Sequence, residues 1–74
     1  MDFILITLKH SRNSIVDMKI PAFMAVGEFI EIICRLYDIL ASTLQAEPLG
    51  IVLDKRLTFA QQQVENGAML TLYS

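Results

Sequence analysis

The chain has one cysteine and one histidine, Cys34 and His10, and only 19% charged residues among its 74. A single thiol cannot close an internal disulfide, which excludes a small secreted domain held together by crosslinks. One His, one Cys and scattered carboxylates fall short of a zinc ligand set. No glycine-rich phosphate loop occurs. A formal net charge of −2 and a pI near 5.1 leave no basic stripe for nucleic acid or an anionic membrane. Long uncharged runs are also missing. The apolar start, Met1 to Ile6, has no positive flank and stops at Thr7, so it does not read as a signal peptide. The stretch Ile20 to Leu40 is interrupted by Glu28, Glu31, Arg35 and Asp38, too often for a membrane helix. These absences predict a cytoplasmic, soluble chain.

What is abundant is apolar surface. Hydrophobic residues make up 54% of the sequence. Low charge with high hydrophobicity excludes a disordered chain. Yet a domain this small hides only about 60% of its unfolded surface. Some large apolar side chains must therefore stay outside, either scattered or gathered as a binding patch.

Residues 3–9 alternate like a strand, with Ile4, Ile6 and Leu8 on one face and Thr7 and Lys9 on the other. A polar turn over 10–14 leads to a second alternating run at 15–20, closed by Pro21, which cannot donate to a ladder. At 25–41 the period lengthens to that of a helix. Val26, Phe29, Ile30, Ile33, Tyr37 and Leu40 form its core arc, and Glu28, Glu31, Arg35 and Asp38 its polar side. Gly27 reads as a flaw costing about 1 kcal/mol against Ala. An irregular connection runs from Ser42 through Pro48. Gly50–Leu53 is a short strand with Ile51 and Leu53 inward and Val52 outward. Leu57–Phe59 is a short edge strand or a plug, and Ala60–Gln63 one helical turn. Asn66-Gly67 marks a turn before the last strand, Ala68–Tyr73, which buries Leu70 and Leu72. One helix across a mixed sheet, with first and last strands parallel, satisfies both apolar faces. The expected architecture is one α+β domain over 1–74, a ubiquitin-like β-grasp.

Particular residues sharpen that reading. Leu8-Lys9-His10 ends the first strand, and Val16-Asp17-Met18-Lys19-Ile20 forms the second. Pro21-Ala22-Phe23-Met24 with Val26 and Phe29-Ile30 leads into the helix. Val64-Glu65-Asn66-Gly67 precedes Leu70-Thr71-Leu72. In these short patterns, spread over nearly the whole chain, the sequence resembles the YukD/EsaB family of small ubiquitin-like proteins of the bacterial type VII secretion system. It departs from that family in a shorter segment between Asp54 and Phe59 and in Ala68, where the family often has Asp. The resemblance implies a regulatory or accessory protein of secretion in a Gram-positive bacterium, with a secretion component as partner. Ubiquitin-like modifiers and sulfur carriers end in a flexible diglycine that admits the carboxylate to an adenylating enzyme. This sequence ends Leu72-Tyr73-Ser74, with its last glycine at 67, so without proteolytic processing a sulfur carrier or modifier is the disfavoured alternative.

No catalytic constellation emerges. His10 reads as a solvated turn residue and Cys34 as a small hydrophobe on the edge of the helix's apolar face. The expectation is a non-catalytic interaction module without cofactor or metal. Two surfaces are candidates. On the outer sheet face, Val52, Met69, Thr71 and Tyr73 gather, extended by Leu5 and Ile15 as outward cross-strand neighbours; the resemblance places a counterpart of ubiquitin's non-covalent binding patch there. On the helix flank, Ile32, Leu36 and Ile39 fall outside the core arc and are either covered by a curl of the sheet or by the 42–49 loop, or form a docking or dimer surface. Glu28, Glu31 and Arg35 would tune specificity at the rim. A structural homodimer and an RNA-binding module are the remaining alternatives, the latter opposed by the charge balance.

Overall fold

A computed structural model describes residues 2–73. The alternation at the start of the chain gives β1 (Phe3–Ser11) and β2 (Ser14–Pro21), paired antiparallel from Phe3↔Pro21 to Lys9↔Ile15. The strands run further than the polar composition of 10–14 suggests, so the turn shrinks to Arg12-Asn13, with a register shift between Lys9 and Ser11. Helix α1 (Val26–Tyr37) follows, then β3 (Thr43–Glu47), β4 (Ile51–Val52), a 3-10 turn (Ala60–Gln62) and β5 (Ala68–Tyr73). The sheet order is β2-β1-β5-β3-β4, with β1 and β5 parallel from Ile6↔Ala68 to Lys9↔Thr71.

Three local expectations are corrected, and of the two readings of residues 57–59 the plug holds. The 43–48 segment is not irregular: Leu44 is fully buried and pairs with Leu72, so Thr43–Glu47 is an internal strand between β5 and β4. The helix ends a turn early. Asp38 adopts φ 54°, and the N–H groups of Asp38 and Ile39 both reach the Cys34 carbonyl, which closes α1 after Tyr37. Leu40, placed in the core by spacing, is therefore 93% exposed, whereas Ile39 folds back against the core. Ile51 faces solvent as well as Val52; the inward residue is Leu53, whose N–H donates to the Leu44 carbonyl (2.9 Å). Residues 57–59 form no strand. Phe59 is a fully buried plug, edge-on to Phe29 with ring centroids 5.4 Å apart.

The plug is held by polar geometry around it. Thr58 and Gln61 exchange side-chain-to-backbone bonds, 2.9 and 3.1 Å, in the reciprocal pattern of a capping box. Gln62 both accepts from the Asp54 N–H (2.7 Å) and donates to the Asp54 carbonyl (2.9 Å), as a paired strand would. The same segment caps α1. The Val26 N–H donates to the Leu57 carbonyl and the Gly27 N–H to the Lys55 carbonyl, each at 2.9 Å. These bonds satisfy two of the free N–H groups at the helix start. They also explain Gly27: a Cβ there would stand 3.1 Å from the Lys55 oxygen. What reads in sequence as a flaw is a close backbone approach.

The Asn66-Gly67 turn does more than reverse the chain. The Leu5 N–H donates to Asn66 Oδ1 (2.9 Å) and the Gly67 N–H to the Leu5 carbonyl (2.8 Å), extending the β1–β5 contact beyond its last paired residues. Replacing Asn66 with Ala should cost about 1 kcal/mol, the usual net worth of one such bond. A shift of the urea midpoint without a change in slope would register that loss.

Candidate functional site

The register of the sheet fixes what its helix-free face displays. One row crosses all five strands: Ile15, Lys9, Thr71, Gln45, Val52. The next row is Asp17, Thr7, Met69, Glu47, in which the Thr7 hydroxyl donates to Asp17 Oδ1 (2.7 Å). Tyr73 pairs with Thr43 at one end, and Leu5 with Lys19 at the other. All six expected residues of this face are thus on it. Val52, Met69, Tyr73, Leu5 and Ile15 are exposed and Thr71 half-buried.

They do not merge into one apolar surface. Leu5 and Ile15 are not cross-strand partners, because they lie ten residues apart in a hairpin that pairs Leu5 with Lys19 and Ile15 with Lys9. Lys9, Gln45 and Thr7 stand between the hydrophobes. The face is mixed, with apolar side chains set in a polar lattice. Gln45 and Thr43 were missed as members because β3 itself was missed; the period-two run Thr43-Leu44-Gln45-Ala46-Glu47 was the signal that could have revealed them.

On the helix side, Ile32 and Leu36 are 44% and 66% exposed, one turn apart on α1. Ile39 is not part of that flank, since it lies beyond the helix and packs on the core. The flank is therefore a two-residue strip. The 42–49 loop expected to cover it is instead mostly β3, committed to the sheet.

The remaining reactive groups have structural engagements. His10 is not a solvated turn residue; it lies in the last residues of β1 on the helix side and stacks on Tyr37, with ring centroids 4.0 Å apart and planes at 13°. Among the described residues its buried Nδ1 has no hydrogen-bond partner. Cys34 is half-buried and directs Sγ at the Ala41 carbonyl, 3.5 Å away. Among the described residues no three His, Cys, Asp or Glu side chains gather as a metal site, and no helix is long and apolar enough to cross a membrane. The one ion pair among them is Asp54–Arg56 (3.1 Å), in the turn that caps α1. The side-chain hydrogen bonds from Arg56, reinforced by its backbone N–H, hold the Asp54 carboxyl below the usual carboxylate range.

No protein-family model and no curated protein sequence matches the chain. Solved structures do. The C-terminal ubiquitin-like domain of mouse tubulin-specific chaperone e superposes with a TM-score of 0.80 at 22% identity, over 96% of this chain and 84% of that one. Ubiquitin from Caldiarchaeum subterraneum gives 0.79 at 16%, over 99% and 94%. The fold is the ubiquitin-like β-grasp. A chain of protomer 1 of the ESX-3 core complex carries the same β-grasp, with a TM-score of 0.74 at 16% identity. That match covers 99% of this chain but 16% of the other, so there the β-grasp is one part of a much larger polypeptide. The single helix over a mixed five-stranded sheet agrees with the architecture expected from the sequence.

Proposed function

We propose that this β-grasp is a non-catalytic interaction module that binds a protein partner non-covalently and serves as a cytoplasmic accessory or regulatory component of a type VII secretion system in a Gram-positive bacterium. The observation that carries the interaction reading is the outer sheet face, where Val52, Met69 and Tyr73 remain exposed around half-buried Thr71. Apolar anchors within a polar surround are the usual anatomy of a reversible protein interface. The β-grasp within a chain of the ESX-3 core complex supports the secretion context, as does the YukD/EsaB-like pattern of the sequence. His10 and Cys34, the groups best suited to nucleophilic or acid–base work, are held by Tyr37 and Ala41, and neither faces the exposed patch.

The test is retention of partners by the tagged chain in its own cells. The wild type should retain a secretion-system component. Met69→Asp and Tyr73→Asp, which place a charge at exposed positions of the face, should lose it while keeping the wild-type melting temperature. Retention unchanged by both substitutions would remove the sheet face from the account. Loss only with Leu36→Glu, accompanied by loss of self-association in sedimentation, would replace it with a homodimer through the strip of Ile32 and Leu36.

A further inference from the structure

Beyond Lys9↔Thr71 the β1–β5 ladder stops, although β1 continues to Ser11 and β5 to Tyr73. At this level β1 also shifts register against β2. A cleft of about 530 Å³ opens there, lined by Lys9, His10, Ser11, Arg12, Thr71, Leu72 and Tyr73. Its charge is opposite to that of the whole molecule. The sequence has eight acidic residues against six Lys and Arg, yet among the described residues the lining holds two permanent cations and no acid. Lys9 and Arg12 are both exposed, and neither has an ion-pair partner among the described residues. The hydroxyls of Ser11, Thr71 and Tyr73 add hydrogen-bonding groups to the same wall.

From this arrangement we infer that the cleft receives an acidic, extended segment of a protein partner. Lys9 and Arg12 bind its carboxylates, and the exposed ring of Tyr73 supplies apolar contact. The inference rests on the interaction reading above and names the chemistry of the partner. Charge complementarity selects the occupant. Two cations in a molecule of net charge −2 do not make a polyphosphate track, because nucleic-acid affinity grows with the number of phosphates neutralised. An opening where two strands cease to pair suits an extended peptide, whose main chain can lie along the edges that β1 and β5 turn toward each other past Lys9↔Thr71. Paired charges at such an exposed rim govern partner choice and association rate more than total affinity.

The experiment uses the full-length 15N-labelled chain and a capped peptide, Gly-Glu-Glu-Leu-Glu-Glu-Gly, with its all-Gln counterpart and inorganic phosphate as controls. Amide shifts should concentrate at residues 9–12 and 71–73. The Glu peptide should bind at least about tenfold more tightly than the Gln peptide and weaken as sodium chloride is raised. The double variant Lys9→Glu, Arg12→Glu should lose this preference while its spectrum keeps native dispersion, since both side chains are in solvent. Equal binding of the two peptides, shifts centred elsewhere, or full displacement of the Glu peptide by equimolar phosphate would overturn the inference. If that happened while Met69→Asp still abolished partner retention, the acidic chemistry alone would fall and the interaction face would stand.

Discussion

Phe59→Ala should unfold this protein at a temperature far below that of the wild type. Phe59 is fully buried, edge-on to Phe29, and closes the core beneath the segment that caps α1. Truncating a buried Phe to Ala typically costs about 3–5 kcal/mol, through lost transfer energy and the cavity left behind. A chain of this length has roughly 4–11 kcal/mol of stability in total, so the variant loses from about a quarter of it to all of it. Each kcal/mol corresponds to about 4–8 °C in melting temperature at this size. Calorimetry or a thermal melt followed by circular dichroism measures the difference. A loss under about 1 kcal/mol would mean that Phe59 does not fill the core as described. Phe59→Leu, which keeps most of the volume, should fall between the two and shows that packing, not aromaticity, dominates.

A second pair of substitutions separates two leucines that the sequence pattern treats wrongly. Leu44→Ala should cost about 2–5 kcal/mol, because Leu44 is fully buried in an internal strand. Leu40→Ala should stay within about 0.5 kcal/mol, because Leu40 is 93% exposed just past the helix end. Urea midpoints on the two variants decide the matter. Helical spacing alone predicts the reverse, with Leu40 in the core and Leu44 in an irregular connection. The opposite ranking would therefore restore the longer helix and remove β3.

The contrast shows where sequence reasoning succeeds and where it stops. The strands β1, β2 and β5 are legible because their alternation is long enough to exclude a helix. The helix is legible for the same reason, in its own period. Its end is not, since the left-handed residue that stops it is Asp38 rather than Gly, and Leu40 happens to continue the spacing. β3 is short and bounded by Pro48, and its outward residues Thr43, Gln45 and Glu47 make it look like loop. It becomes a strand because β5 on one side and β4 on the other exchange hydrogen bonds with it, a tertiary effect absent from local propensity. The candidate face was legible residue by residue, because outward positions follow from parity. Its texture was not. Lys9, Thr7 and Gln45 stand between its apolar residues through cross-strand register, which no single strand encodes. His10 likewise finds Tyr37 across a gap of more than two dozen residues that no motif connects.

The parallel pairing of β1 with β5 has a consequence for how the molecule comes into being. The hairpin β1–β2 and the pair β3–β4 share no hydrogen-bonded border; β5 alone joins them. During synthesis the two pairs stay unjoined, their core-facing side chains uncovered, until residues 68–73 leave the ribosome. Closure of that longest loop then assembles the sheet in a single late event. A nascent chain stalled before Ala68 has two half-sheets and no keystone, so it is a substrate for chaperones and proteases rather than a working fragment.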